Sequence, residues 1–307
     1  MQLIRGLEGM RKPAPGCALT IGTFDGLHLG HQALIERVHR HAARLGRAGV
    51  LLTFEPTPRE YLTPANPPAR LTSLRERWRI LSSSPLEYLW LLRFCEGLRN
   101  LSAEEFAQLL ARAVAPAVVV VGHDFRFARN GEATAETLAA AGRRLGFELD
   151  VLEPVTVEGE RVSSSSIRAA LACSDFAGAR RRLGRPWSMR GRVIGGRRLG
   201  AELGFPTANL LLERQRAPVA GIFAVHVQGV CEVARAGVAS LGTRPTVDGS
   251  GWLLEAHVFD FQGDLYGREI EVEFVAKLRD EERFVSLAAL TAQMQSDARE
   301  ARRILNA

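Results

Sequence analysis

The segment Gly22-Thr23-Phe24-Asp25-Gly26-Leu27-His28-Leu29-Gly30-His31 packs two histidines and three glycines into ten residues. Just before it, Ala18-Leu19-Thr20-Ile21 reads as the end of a buried strand. Just after it, Ala33, Leu34, Val38 and Ala42 recur at helical spacing. A strand-to-helix turn gathers unpaired backbone N–H groups at the positive end of a helix dipole, a setting that holds phosphate. Imidazoles placed there can donate to phosphate oxygens as charge develops, and Gly30 lets the backbone come close. His28 and His31 are therefore the first candidates for chemistry on a nucleotide. The plainer alternative is a pair of satisfied histidines capping a helix.

Two further stretches suit phosphate. Ser163, Ser164, Ser165 and Ser166 precede a helical pattern (Ile167, Ala170, Leu171), so hydroxyls and free N–H groups face one point while Arg168 adds charge. Alone, this is equally an ordinary serine cap with a surface arginine. Gly191, Gly195, Gly196, Gly200 and Gly204 suggest a mobile loop that wraps phosphates with its backbone. Thr207 and Asn209 then offer hard oxygens suited to Mg²⁺, the ion expected with ATP. A glycine-rich barrel connection is the alternative. Neither Gly-x-x-x-x-Gly-Lys-Ser/Thr nor Gly-x-Gly-x-x-Gly follows the first strand, which disfavours P-loop enzymes and ordinary dinucleotide oxidoreductases.

The elements that must position these residues fall into two patterns. In the first half, strands at 18–22, 49–54, 87–92, 117–121 and 147–152 alternate with helices at 30–46, 73–82, 102–114 and 134–145, and Ser102 with Glu105 forms a capping box. This alternation predicts an α/β domain with a parallel, Rossmann-like sheet covered on both faces. After Leu183-Gly184-Arg185-Pro186, short strands at 188–194, 221–228, 234–240, 252–261 and 268–276 predict a small antiparallel β-barrel. A terminal helix opened by Ser286 carries Leu287, Leu290, Met294, Ala298, Ala301 and Leu305 as a packing stripe. The expected domains are 1–185 and 186–307.

At 307 residues the chain suits two domains. No apolar run is long enough to span a bilayer and no signal peptide is evident, so no membrane role is expected. Cys17, Cys95, Cys173 and Cys231 are scattered without metal-site pairing and read as reduced core thiols of a cytoplasmic protein. The net charge is +6, nearly all from arginine; only Lys12 and Lys277 are lysines. Arg180, Arg181, Arg182, Arg185, Arg190, Arg192, Arg197 and Arg198 cluster near the junction, but only Trp187 lies among them, so no nucleic-acid partner is expected.

The segment Gly22–His31 resembles the signature of nucleotidyltransferases of the HxGH type. Phe54-Glu55-Pro56-Thr57-Pro58, Val121-Gly122-His123-Asp124-Phe125-Arg126-Phe127 and Arg161-Val162-Ser163-Ser164-Ser165-Ser166-Ile167-Arg168 resemble the adenylyltransferase module of prokaryotic bifunctional riboflavin kinase/FAD synthetases. The run 191–209 with Pro206-Thr207-Ala208-Asn209 resembles the phosphate loop of riboflavin kinases, and Gly221–Val225, Gly242–Thr246, Leu254–His257, Leu265–Gly267 and Leu278-Arg279 follow in order. The resemblance reaches from about Ile21 almost to the C-terminus.

It implies a domain that transfers AMP from ATP to FMN and a domain that phosphorylates riboflavin. Implied phosphate contacts are Gly22, Thr23, Phe24, Asp25, Gly30, Ser163, Ser164, Ser165, Arg168, Gly191, Gly196, Gly200 and Gly204. Implied flavin contacts are Asp124, Phe125, Phe127 and Arg279; metal ligands are Thr207 and Asn209; and Glu255 acts as the base for the riboflavin 5′-hydroxyl. Riboflavin, FMN, FAD and ATP are the expected partners of a monomer or weak homo-oligomer. Departures from the family pattern are Ala128 in place of glycine, Ser165 in place of threonine, Ser240-Leu241 in place of Asn-Ile, and Val247 in place of phenylalanine. One decayed activity, a basic RNA-binding protein on the same fold, and AMP transfer to another acceptor are the alternatives.

Overall fold

The computed structural model describes residues 1–7, 16–196, 199–212, 214–246 and 249–307. Arg197, Arg198, Lys12 and Val247 lie outside them. The chain forms two compact units: 1–68 with 77–163, and 69–76 with 164–307.

In the first unit the order is β1 (Gln2–Arg5), β2 (Ala18–Ile21), α1 (Leu29–Leu45), β3 (Gly49–Glu55), α2 (Pro58–Leu62), α3 (Leu74–Ser82), β4 (Tyr88–Arg93), α4 (Glu96–Arg99), α5 (Ala103–Val114), β5 (Val118–Gly122), α6 (Ala135–Leu145) and β6 (Glu148–Leu152). A two-stranded hairpin follows, β7 (Thr156–Val157) with β8 (Glu160–Arg161). The first two residues of α3 and Glu76 group with the second unit. The six main strands are all parallel, in the order β1-β4-β3-β2-β5-β6.

The run Gly49-Val-Leu-Leu-Thr-Phe explains this layering. Val50 and Leu52 face one core with Leu110 and Val114 of α5 and Leu138 of α6. Leu51 faces the other with Leu34, Ile35 and Val38 of α1. A strand buried on both faces is nearly continuous in apolar residues, and here only Thr53 interrupts the buried run. Ser102 caps α5 reciprocally with Glu105. β1 went unpredicted, being a four-residue edge strand that pairs only with β4.

The second unit runs α7 (Ser164–Ala172), α8 (Phe176–Leu183), β9 (Ser188–Ile194), α9 (Leu199–Glu202), β10 (Ala208–Leu211), β11 (Gly221–Gln228), β12 (Arg235–Thr246), β13 (Gly249–Val258), β14 (Glu269–Arg279) and α10 (Leu287–Leu305). Its strands close into a six-stranded antiparallel barrel, β10-β13-β12-β11-β14-β9. Alternate residues, such as Leu254 and Ala256 of β13 with Val272 and Phe274 of β14, fill the interior. The same core takes in Ile167 and Leu171 of α7 and Phe176 and Leu183 of α8.

Segment 69–76 belongs here through buried polar bonds. The Trp187 indole donates to the Leu71 carbonyl at 3.3 Å, and Arg214 donates to the carbonyls of Arg70 and Leu71 and to the Glu76 carboxylate. Contacts thus group 164–185 with the barrel, upstream of the junction expected at 185/186.

Two packing expectations need correction. Ser286 does cap α10, but Leu287 at its start is 58% exposed, while Ala298, Ala301 and Leu305 pack with Ala224 and Phe259. Of the four cysteines only Cys17 is buried in the core, where burial pushes its thiol up to about 12; Cys173 and Cys231 are exposed. Among the described residues, no helix is long and apolar enough to cross a membrane.

Candidate functional site

Strands β2 and β5 are neighbours, yet the chain visits β3 and β4 between them. The winding direction of the sheet therefore reverses at this pair. Open parallel sheets bind ligands beyond the carboxyl ends of the strands at such a reversal. His28 and His31 follow the end of β2, and Asp124 and Phe125 follow the end of β5.

His28 is the N-cap of α1, its Nδ1 accepting from the His31 backbone N–H at 3.3 Å. The capping reading of the histidines is therefore true of His28, and it fixes the tautomer: the proton of the neutral ring sits on Nε2 and can be donated. The two imidazoles stack with centroids 3.6 Å apart and planes 16° apart. Burial pushes the His31 pKa well below its ordinary value, with the charges of His28 and Arg77 adding to the shift. His31 Nδ1 is buried and has no hydrogen-bond partner among the described residues. A buried polar atom of this kind is open to a hydrogen bond from outside the chain.

The turn itself is tight. Phe24 is fully buried at φ 51°, and a Cβ on Gly22 would stand 3.1 Å from its ring. A Cβ on Gly30 would meet the His28 ring at 3.2 Å and come within 3.8 Å of the Val162 carbonyl. Val162 immediately precedes the serine run, so the end of the first unit reaches the start of α1. Thr23 is part-exposed and Asp25 is buried. Ser163 closes the first unit, whereas Ser164, Ser165 and Arg168 open α7 in the second. Arg168 Nε donates to the Ala69 carbonyl at 2.6 Å.

Sequence reasoning missed Arg77. In Leu74-Arg75-Glu76-Arg77-Trp78 an arginine reads as a solvated helix face, but this one is 1% exposed. It donates to the Thr23 carbonyl at 2.8 Å, to Thr53 Oγ1 at 3.4 Å and to the Glu55 carboxylate at 2.5 Å.

Beyond β5, Asp124 pairs with Arg161. Partial burial pushes its carboxyl up, but the Arg161 hydrogen bond and charge, with His123, outweigh this and hold it below the usual range. Phe125 and Phe127 stack at 5.5 Å. Phe127 is a core residue at 8% exposure, packed on Phe106, which leaves Phe125 as the accessible ring of the pair. Ala128 stands at φ 65°, ψ −172°, a region nearly reserved for glycine.

The second unit carries its candidates on the outer wall of the barrel. Register places Asn209 of β10 opposite Glu255 of β13, Glu255 opposite Ser240 of β12, Ser240 opposite Ile222 of β11, and Ile222 opposite Arg279 of β14. Their core-facing neighbours Leu210, Leu254, Ala239 and Phe223 point inward, so the row Asn209-Glu255-Ser240-Ile222 faces outward on one level. Directly opposed residues lie about 5 Å apart at Cβ.

The glycine run folds against this row. A Cβ on Gly196 would fall 2.4 Å from the Asn209 amide, and one on Gly200 would stand 2.4 Å from the Phe205 carbonyl and 3.4 Å from Thr207 Oγ1. These glycines are close approaches to the two expected metal ligands. Gly204, at φ 84°, follows α9. That helical turn lies within the segment expected as a mobile loop. Gly191 is a different case. It lies in β9 opposite Ile270 and against Leu210, so close packing in the barrel, not phosphate, explains it.

His257, two residues beyond Glu255, bonds the Pro206 carbonyl through Nδ1 at 2.8 Å and so fixes the Pro-Thr turn. Burial pushes its pKa down. Arg279 grips Asp297 of α10 by Nε at 3.0 Å and Nη2 at 2.8 Å, and donates through Nη1 to the Asp280 carbonyl. Its fork is committed to holding α10.

The FAD synthetase family matches residues 10–166 and the riboflavin kinase family residues 183–305. The chain is 42% identical over 304 residues to the bifunctional riboflavin kinase/FMN adenylyltransferase of Pseudomonas fluorescens, covering 98% of this chain and 97% of that one. The protein of the same description from Escherichia coli K12 is 41% identical at the same coverage. That from Haemophilus influenzae is 39% identical over the whole of both chains. A solved structure described as a macrolide-efflux protein from Streptococcus pneumoniae aligns at TM-score 0.81 and 30% identity, over 98% of both chains.

Proposed function

The chain belongs to the bifunctional riboflavin kinase/FMN adenylyltransferase family, and from that membership we propose that residues 1–185 carry the adenylyl transfer and residues 186–307 the phosphorylation. It is an enzyme of flavin cofactor synthesis: it phosphorylates riboflavin to FMN with ATP, then transfers AMP from ATP to FMN, giving FAD and pyrophosphate. The division is supported by the family matches, which end at 166 and resume at 183.

The observation that carries the site assignment is the histidine stack at the sheet reversal, with the buried, unpartnered His31 Nδ1. In adenylyl transfer an FMN phosphate oxygen attacks the α-phosphorus, and the bond to the departing pyrophosphate breaks. That nucleophile is already anionic, so no base is needed and catalysis is positioning and charge stabilisation. His28, donating from Nε2, and His31 answer the charge that develops. Gly22, Thr23, Phe24, Asp25 and Gly30 shape the turn that admits the phosphates, and Ser163 of the same unit supplies a further donor. Asp124 and Phe125 hold the flavin.

Phosphorylation differs because its nucleophile is an alcohol. The riboflavin 5′-hydroxyl must lose a proton as it attacks the γ-phosphorus, and Glu255 takes that proton. Its neighbour Asn209, with Thr207, offers the hard oxygens that Mg²⁺ prefers. The close approach of Gly196 and Gly200 to these two side chains supports a phosphate–metal cradle there. The ion, when bound with ATP, neutralises phosphate charge. Gly204 permits the bend that closes the cradle. The protein works in the cytoplasm as a monomer or weak homo-oligomer, with neither a nucleic acid nor a membrane as partner; free thiols support the location.

Purified protein incubated with riboflavin, ATP and Mg²⁺ should yield FMN first and FAD later, separated by chromatography. Starting from FMN should yield FAD alone. FMN accumulation without FAD, or AMP transfer only to another acceptor, would overturn the reading.

A further inference from the structure

We propose that Arg77 is a positioning residue for adenylyl transfer, holding the Thr23–Phe24 turn so that His31 is seated for the reaction. The inference rests on the assignment of His28 and His31 to that reaction. Its guanidinium gathers three acceptors from two neighbouring strand ends: the Thr23 carbonyl beyond β2, Thr53 Oγ1 within β3, and the Glu55 carboxylate at the end of β3. The Thr53 hydroxyl donates to the same Thr23 carbonyl at 3.2 Å. That carbonyl is thus pinned by two donors. The residue after it, Phe24, is held at a positive φ that a phenylalanine does not choose unaided. The Phe24 ring then packs on His31, centroids 5.0 Å apart and tilted by 52°, and His31 stacks on His28. The chain of contact runs from guanidinium to carbonyl to ring to imidazole.

The residue type fits the task. A planar fork with fixed donor directions can serve three acceptors at once, which a lysine ammonium on a flexible stem does less well. Enclosing a cation at 1% exposure is costly, and buried ion pairs are weak contributors to stability. Their surviving use is to fix geometry. A positive charge in this place also disfavours protonation of His31, in the direction its surroundings already push it.

The test compares Arg77→Met and Arg77→Lys with the parent, using the kinase activity of the same chain as an internal control for folding. Adenylyl transfer from FMN should lose on the order of 100-fold in kcat in Arg77→Met, the scale set by a small misplacement of reacting groups. FMN affinity and the KM for ATP should stay within about threefold, and riboflavin phosphorylation should be unchanged. Arg77→Lys should recover part of the loss. In Arg77→Met, the His31 ring followed by NMR should titrate closer to the ordinary histidine value.

A kcat within about threefold of the parent overturns the proposal, as does loss of kcat together with FMN affinity and early melting, which is a purely structural role. The double variant His28→Ala, His31→Ala separates the two levels. If it stays active, the histidine assignment itself fails; if it is inactive while Arg77→Met is not, only the role of Arg77 fails.

Discussion

The two candidate sites solve different problems with different parts of a fold. In the first unit the candidate groups come from turns at the ends of parallel strands, and they include two stacked imidazoles, of which burial pushes the His31 pKa down. In the second they come from one level of adjacent antiparallel strands on the outer wall of a barrel, with a carboxylate at the centre. The difference follows from the nucleophiles. An FMN phosphate arrives deprotonated and would be repelled by a carboxylate; a ribityl hydroxyl needs one. Under the proposed assignment, only the second site needs a group to take a proton from its nucleophile.

Glu255→Gln tests that contrast most severely. It nearly preserves shape and removes the proton acceptor, so riboflavin phosphorylation should fall by about 10²–10⁴-fold. FMN adenylylation, assayed from FMN, should survive; equal loss of both would mean that the sites are not separate. The reciprocal change, His28→Ala with His31→Ala, should reduce FAD formation by about 10²–10³-fold and leave the kinase intact. Because His28 caps α1, part of any stability loss is the missing cap, about 1 kcal/mol. His28→Asn, which keeps a capping oxygen, isolates the catalytic part.

A smaller effect sharpens the first site without touching its chemistry. Ala128 occupies a backbone conformation that costs about 1–3 kcal/mol for any residue with a Cβ. Ala128→Gly should raise the melting temperature by several degrees, at about 2–4 °C per kcal/mol, in a thermal scan. No rise would mean that the surrounding turn has relaxed around the methyl.

The smallest effect is one of pH. The folded His31 titrates below its ordinary 6.5. Above 6.5 the ring is neutral whether the chain is folded or not. Below it the unfolded chain takes up a proton that the folded chain refuses, so stability is lost as pH falls toward the folded value. The slope is at most about 1.4 kcal/mol per pH unit. His31→Asn should flatten the fall in melting temperature across that window; an unchanged slope would place the titration elsewhere.

The larger outline was legible because buried strands and amphipathic helices leave periodic traces. Strands β2 to β6 and helices α1, α3, α5 and α6 lie within two residues of the expected spans. What escaped were features with no periodicity. β10 is four residues inside a stretch that reads as a turn. The row joining Asn209 to Glu255 and Ser240 depends on cross-strand register, which no local pattern encodes. Arg77 looks like its solvated neighbours Arg75 and Arg79 until the ends of β2 and β3 are brought against it. Phe127 shows the converse: a residue type suited to stacking a flavin is equally suited to a core, and only packing decides.

One consequence of the fold concerns how the chain can be divided. Arg214 and Glu76 form an ion pair at 1% and 8% side-chain exposure, 138 positions apart in sequence. A fragment starting at 164 or 186 keeps the arginine and discards its counter-charge, a deficit of about 3–5 kcal/mol. It also discards the Leu71 carbonyl on which Trp187 rests. A single cut at either point separates residues 69–76 from the unit their contacts join them to.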